Sequence, residues 1–320
     1  MFKYVVRRLM LFVPTLLGVT LIIFLMVRLV PGDIATILVY DAGSLPADEA
    51  KAQVAEVRQQ LGLDRPIVVQ YLAWLGHATV GNFGYSYWEK RPVADIIGER
   101  FPRSMELAIL TLVLAILWAI PLGVISAVKQ NTWADYLVRV VSISGLSLPL
   151  FLSGILMLYF LVAWFDWLPP LEYVGLFNDP WVNLSQLIWP AIAQALYISA
   201  PIMRLTRSQM LDVIREDYVR TARSKGLGEP KVMYSHALRN ALLPVVTFIG
   251  WWGGRLLGGI VIMEIIFAVP GMGTGLIDAV NHRDYPTVQA IVLLLALIFL
   301  ALNLIVDLLY AVMDPRIRYA

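Results

Sequence analysis

Apolar residues in this chain run in unbroken stretches, far longer than the alternation of a strand or the stripe of a half-buried helix. A helix crossing a bilayer needs about 20 such residues. Six stretches reach or approach that length: Leu9–Val30, Met105–Val128, Tyr136–Trp164, Leu187–Met203, Ala241–Val269 and Val288–Met313. The fourth is the weakest, being short and carrying Pro190 and Pro201. Without it, the basic segment after Arg204 would share a side with the acidic segment Asp166–Asp179, so six is the better reading. The pattern predicts an all-α membrane protein with six transmembrane helices. Between the first two stretches the pattern turns polar. Pro31-Gly32-Asp33 reads as a turn at the membrane surface. Residues Ala47–Leu61 read as a helix with Val54, Val57 and Leu61 on one face and Gly62 as its C-cap. Gly81, Asn82 and Gly84 mark a loop beside Tyr85, Tyr87 and Trp88, aromatics that suit the headgroup layer. This cap either packs on itself or meets a substrate or partner.

Composition agrees with the pattern. The apolar set makes up 59% of the 320 residues and the charged set 15%, against roughly half and about a quarter in soluble domains. So few charges cannot cover a water-soluble surface. The polar charges are also placed unevenly. Lys3, Arg7 and Arg8 precede the first stretch, and Lys129 and Arg139 flank the second short loop. Eight basic residues lie between Arg204 and Arg239, and Arg316 and Arg318 follow the last stretch. Loop 165–186 has no Lys or Arg, and loop 270–287 has only Arg283. The positive-inside rule then puts both termini inside. The first apolar run is too long for a signal-peptide core, and no small-x-small site follows it, so it reads as a retained anchor.

The inner segment 204–240 carries the most information. From Arg204 to Lys225 it has no Pro and no Gly, so it can continue the fourth span as a polar helix. Gly226 and Gly228 break it. Glu229-Pro230 suits the first turn of a new helix, because the proline lacks an N–H that would be unpaired there anyway. That helix is expected to reach about Asn240, with Leu243-Pro244 entering the membrane. The product is a basic helix–turn–helix hairpin between spans four and five. Charge alone explains it as an anchor or a face for anionic lipid. It is longer than anchoring requires, which suggests a docking element.

The text YVRTARSKGLG (218–228) followed by HALRNALLPV (236–245) resembles the EAA loop of binding-protein-dependent ABC transporter permeases, and the peptide branch in particular. The resemblance extends over nearly the whole chain. It includes RRLMLFVPTLLGVTLIIFLMVRLVPGD (7–33), LGLDRPIVVQY (61–71), GNFGYS (81–86), PRSMELAIL (102–110), MEIIFAVPGMG (263–273) and IVDLLYAVMDPRIRY (305–319). Arg220-Thr221-Ala222 stands where the general consensus has Glu-Ala-Ala. Trp251, Trp252 and Arg255 are less typical of the branch. The resemblance implies a bacterial inner-membrane permease forming half of a pore with a second homologous permease. Two cytoplasmic ATPase subunits would grip the hairpin, and an extracytoplasmic binding protein would deliver peptides or similar cargo. The implied division is an anchor at 1–30, an outer cap at 31–103, a permease core at 104–313 and a tail at 314–320. ATP and magnesium would then be held by partner subunits and no cofactor by this chain, which would be non-catalytic.

The residues fit that absence. There is no phosphate-cradling Gly-x-x-x-x-Gly-Lys-Ser/Thr and no His-Glu-x-x-His. Zero cysteines remove thiolate chemistry, and His77, His236 and His282 lie far apart. GMGTG (271–275) reads as a tight turn. Ser142, Ser144 and Ser147 read as hydroxyls bonded to backbone. A net charge of +2 gives no reason to expect nucleic acid as a partner; membrane lipid is one. Candidate coupling residues are Tyr218, Arg220, Thr221, Ala222, Arg223, Lys225, Gly226 and Leu227. Ala222 and Gly226 are expected to stack on one face and let a partner approach. Gly250, Gly254 and Gly258, four apart, mark a helix-packing stripe. Arg255 and Glu264 are candidates for the translocation path, Arg255 either lining a cavity or meeting a partner helix, Glu264 serving as gate or packing. They lie nine residues apart, on nearly opposite sides of the helix, and should not pair. The competing class is a carrier driven by an ion gradient, with broken helices and midplane charges.

Overall fold

The computed structural model describes residues 2–29, 35–36, 47–60, 62–170 and 172–313. The expected turn at Pro31-Gly32-Asp33, the residue Leu61 and the tail 314–320 lie outside the described residues. Helix α1 spans Phe2–Leu29, α2 Ala47–Gln60 and α3 Ile67–Thr79. A small departure from all-α character follows, a two-stranded antiparallel ribbon of β1 Tyr85–Ser86 and β2 Arg91–Pro92. Then come α4 Val93–Val128, α5 Trp133–Ser147, α6 Leu150–Phe165, α7 Pro180–Ile214 and α8 Asp217–Ser224. Helix α9 is Glu229–Ile266, with a π-helical turn over Val232–Ala237, and α10 Met272–Asn281 and α11 Tyr285–Met313 follow. Gly62 closes α2 with a φ of +66°, as its position predicts.

Among the described residues four helical stretches are long and apolar enough to cross a membrane: Arg8–Met26, Val93–Val128, Glu229–Ile266 and Tyr285–Val306. A fifth appears if α5 and α6 count as one crossing, although they meet at 107°. The third apolar stretch is therefore not one straight helix. Pro149 lacks the N–H that would continue the ladder, and it forces Leu148 into an extended conformation (φ −83°, ψ 125°). The fourth stretch lies inside α7, which is not apolar enough to join the other four.

The described residues fold as two compact units, one drawn from Met1–Arg8, Pro102–Thr274 and Ile298–Ala320, the other from Leu9–Phe101 and Gly275–Leu297. The first is organised around α7. Sixteen α7 residues are buried, among them the polar Asn183, Gln186, Gln194, Ser199 and Thr206. Small residues bring its neighbours close. A Cβ on Gly123 of α4 would stand 2.7 Å from the Thr206 Cβ and 2.8 Å from the Met203 carbonyl oxygen. One on Gly145 of α5 would stand 3.1 Å from the Ala200 Cβ. Leu161, Leu187, Ile198, Ile202, Ile260 and Met263 fill the core between these helices. Asp179 caps α7, accepting from the Trp181 and Val182 amides, with Pro180 at the first helical position. The Asn183 amide donates to Glu106 and to the Tyr173 hydroxyl, at 3.0 and 2.9 Å. Burial, and then the adjoining Glu106 carboxylate, push the Tyr173 phenol above its usual range.

The second unit has its own core. Phe24 of α1 is enclosed by the rings of Tyr71 and Trp74 on α3, and Thr20 bonds the Tyr71 hydroxyl at 2.8 Å. The buried Ser86 hydroxyl donates to Asp284, which also accepts from Thr287 at 2.6 Å. Glu89 bridges Arg91 and Arg100 at 2.6 and 3.3 Å. Trp88 stacks on His282 with ring centroids 3.6 Å apart.

The close approach at Gly123 sets a test. Gly123→Ala forces a methyl against a backbone oxygen and should destabilise the purified protein by about 1–3 kcal/mol, read as a lower thermal midpoint in detergent. Gly253→Ala, where a Cβ meets nothing within 4 Å, should be neutral or slightly stabilising.

Candidate functional site

The hairpin forms as the sequence suggests, with two changes. Helix α7 ends at Ile214 and the chain turns at Arg215-Glu216, so the polar extension is broken before Gly226. The second helix does not end near Asn240; it continues through the π turn as α9. Val219, Ala222, Val232, Met233, Ala237 and Ala241 close over Val124 and Ala127 of α4 and Met210 of α7. The hairpin thus shares a second apolar core with α4 and α7.

That core decides which candidate residues point where. Ala222 is buried inside it and so does not present a small-residue face to a partner. Gly226 lies beyond the end of α8, with a φ of +75°. Its N–H donates to the Arg223 carbonyl at 2.9 Å, and that of Leu227 to the Ala222 carbonyl at 3.4 Å. This pair of bonds is the Schellman closure, which places glycine where a Cβ would be strained. Leu227 packs partly into the core. Tyr218 and Arg220 stay 42% and 72% exposed, and Thr221 and Lys225 are exposed beside them. Tyr218 accepts from the Asn240 amide at 2.8 Å, tying α8 to α9. Arg223 pairs with Glu229 at 2.7 Å across the turn.

A buried ion pair stands at the foot of the hairpin. Arg207 of α7 donates from Nε and Nη2 to the two oxygens of Asp135 on α5, both at 2.8 Å. Ser126 of α4 and the Asn131 amide complete the carboxylate's bonds. Three helices meet on that one fully buried carboxylate.

Further along α9 the glycine stripe separates. Gly250 packs against Val306 and Gly254 against Phe299 on α11. Gly258 meets nothing within 4 Å; Gly259 makes the close contact instead, against Gln194 and Leu150. Gly258 borders a cavity of about 310 Å³ that Arg255 also lines. The Arg255 guanidinium lies 4.7 Å over the Trp251 ring.

Glu264 is elsewhere. It is fully buried and accepts from Ser104 Oγ and from the Gly273 and Thr274 amides, the latter two at 2.7 and 3.1 Å. The carboxylate therefore caps α10, where backbone N–H groups point out of the helix. GMGTG is accordingly not a free-standing tight turn, since Met272–Asn281 is helical. Gly271 leaves room for the carboxylate. Of the expected serine bonds, Ser147 donates to the Ile143 carbonyl, while Ser142 points at the Met203 sulfur.

Two family descriptions match the chain: "Binding-protein-dependent transport system inner membrane component" over residues 119–319, and the N-terminal component of such transport-system membrane proteins over residues 1–108. The chain belongs to the binding-protein-dependent transport system inner membrane component family. It is 42% identical over all 320 residues, with both chains fully covered, to the glutathione transport system permease protein GsiC of Escherichia coli strain K12. The same figures hold for GsiC of Shigella dysenteriae serotype 1. A crystal structure of an amino acid ABC transporter with histidines aligns with a TM-score of 0.46 at 16% identity, over 65% of this chain and 89% of that one. The chain is thus a multi-pass inner-membrane permease subunit of an ABC importer. Membership implies a substrate-binding protein and ATPase partners, which decides against the ion-gradient carrier.

In this permease the Asp135–Arg207 pair was not visible from the sequence, because its partners lie 72 positions apart. The available signal was an acid in the first turn of an apolar helix. Replacing the Asp135 carboxylate breaks its charge-assisted bonds to the partly exposed Arg207, at a cost of about 1–3 kcal/mol. Asp135→Asn should therefore lower the thermal midpoint of the purified permease; an unchanged midpoint would refute the assignment of this pair as a structural tie. Glu264→Gln turns an acceptor into a donor opposite backbone N–H groups and should cost about 1–3 kcal/mol. It should lower the midpoint without altering which cargo is transported, a combination that uptake assays with several cargoes can check.

Proposed function

We propose that six helices of the permease cross the membrane with both termini inside. Helix α7 supplies the fourth crossing and the bent pair α5–α6 the third. The placement of basic residues supports this orientation. The burial of α7 supports its crossing as a helix shielded from lipid. On this reading residues 31–103 form an extracytoplasmic cap after an anchor at 1–30, residues 104–313 form the core, and 314–320 are a cytoplasmic tail.

The hairpin from α8 into α9 is then the coupling element. The observation that carries this is the separation of its two faces. Val219 and Ala222 are buried in the permease's own core, while Tyr218, Arg220, Thr221 and Lys225 face outward. A cytoplasmic ATPase subunit would grip that outward face, with the Gly226 turn at its tip. A second homologous permease would complete the pore and carry a second ATPase. ATP and magnesium would be bound in those ATPase subunits and hydrolysed there, this chain contributing no catalytic group. The cargo is a peptide or a similar small solute; the GsiC relatives are named for glutathione transport.

The left-handed backbone at Gly226 makes a graded test possible. Asparagine tolerates that conformation and β-branched residues do not. Gly226→Val should reduce ATP hydrolysis stimulated by the binding protein at least ten-fold in the reconstituted complex, while Gly226→Asn retains most of it. Membrane insertion should be equal in both. Full stimulation in Gly226→Val would remove the hairpin from the coupling path.

A further inference from the structure

The cavity beside α9 has the chemistry of a binding site. Its walls include Gln194 and Tyr197 from α7, Leu150 at the start of α6, and Trp252, Arg255 and Gly258 from α9. At about 310 Å³ it is at the small end of ligand pockets, which run from roughly 300 to 1,000 Å³. It accommodates one amino-acid-sized portion of a solute.

Three polar groups converge on it with unspent bonding capacity. Arg255 sits in a membrane-crossing stretch, where a charge is costly unless it faces a cavity or a partner. Among the described residues no carboxylate is within ion-pair reach of it. Its guanidinium is held from one side by the aromatic corner of Trp251 and Trp252, whose rings stand 5.8 Å apart at 89°. A guanidinium beside an aromatic ring keeps its N–H donors for a planar bidentate acceptor. Gln194 is 1% exposed; its amide nitrogen donates to the Leu256 carbonyl at 3.1 Å and its oxygen has no partner. The Trp252 indole N–H is likewise buried without a partner. Buried polar groups are nearly always satisfied, so two orphans in the wall of one cavity call for a cause. Both atoms are closed to solvent in this conformation, so a ligand engages them only if their side chains rotate toward the cavity.

The glycines fit the same reading. Gly259 lets Gln194 come in, since a Cβ there would stand 2.8 Å from the amide nitrogen. At Gly258 a Cβ would meet nothing within 4 Å, so the missing side chain keeps space open and not a helix contact.

We propose that this cavity is a cargo subsite recognising a carboxylate next to an amide, as at the C-terminal residue of a peptide. The carboxylate pairs with Arg255, the amide N–H donates to Gln194 Oε1, and a carbonyl oxygen accepts from Trp252 Nε1. Tyr197 and Ile198 receive a small side chain. The permease then screens cargo by charge itself, in addition to whatever its binding protein selects. This rests on the transport reading above and specifies the cargo chemistry.

The test uses the whole complex, this permease with its partner permease and ATPase subunits in lipid nanodiscs, without binding protein. Binding of N-acetyl-alanyl-alanine, of its C-terminal amide and of acetate is measured by ligand-observed NMR titration. The free acid should bind saturably, and the amide and acetate at least ten-fold more weakly. Arg255→Gln should weaken the acid at least ten-fold and leave the amide unchanged. Trp252→Phe should weaken acid and amide alike. Gly258→Leu fills the cavity and should remove acid binding, which keeps the proposal testable if Arg255→Gln does not assemble. Equal binding of acid and amide, acid binding unaffected by Arg255→Gln or Gly258→Leu, or no saturable binding overturns the subsite. Acetate competing as well as the dipeptide also overturns it, leaving a bare anion or lipid-headgroup site. Co-purification of the ATPase subunits and binding-protein-stimulated hydrolysis are scored separately. Their presence without discrimination sinks only the subsite, whereas their absence sinks the transport reading.

Discussion

A helix that is polar by membrane standards has to be buried among other helices, and the first unit of this permease is arranged around meeting that need. Helix α7 carries Asn183, Gln186, Gln194, Ser199 and Thr206 on buried positions. None of these can be left facing lipid, where an unpaired polar group has no water to turn to. Glycines and alanines on the neighbouring helices solve the problem by letting backbones approach closely enough for short side chains to find carbonyls. Gln194 bonds the Leu256 carbonyl of α9 in this way, whereas Thr206 bonds the Ile202 carbonyl of α7 itself. The contacts at Gly123, Gly145 and Gly259 are the same solution seen from the other side. On the six-crossing reading proposed above, the low hydropathy of α7 goes with its central place among the other helices.

Helices α7 and α9 each run from the hairpin core to the cavity. Helix α7 runs from its Asp179 cap past the cavity residues Gln194 and Tyr197 to the hairpin core at Met210. Helix α9 begins in the hairpin and passes Trp252 and Arg255 on its way to the Glu264 cap. The Asp135–Arg207 pair fixes α7 to α5 just before the hairpin. A displacement of the hairpin is therefore a displacement of rods that also form cavity walls. Packed helices of this kind shift between discrete arrangements more readily than they deform.

Much of this was legible in the residues. Long apolar stretches show the membrane class, and the Gly226 and Glu229-Pro230 signals mark the turn of the hairpin, because glycine and proline act locally. What could not be read depends on distant partners. The break at Arg215-Glu216 carries neither glycine nor proline and follows from the packing of Val219 and Ala222 onto α4. Glu264 reads equally as gate or packing until Ser104 and the start of α10 come into reach. The inward turn of Ala222 and the vacancy at Gly258 follow from neighbours that spacing alone does not name. Pro149 is the opposite case, a local break set inside a continuous apolar run.

The π turn at Val232–Ala237 has one more consequence. A π-helical segment winds one extra residue into its turn. Relative to an unbroken α-helix, that offsets every later side chain by about 100° around the axis. Val232, Ala237 and Ala241 look into the hairpin core, while Trp252 and Arg255 look into the cavity. Both faces belong to one continuous rod. Their angular phase is set by six residues of local winding, so motion at the hairpin can reach the cavity as twist as well as push.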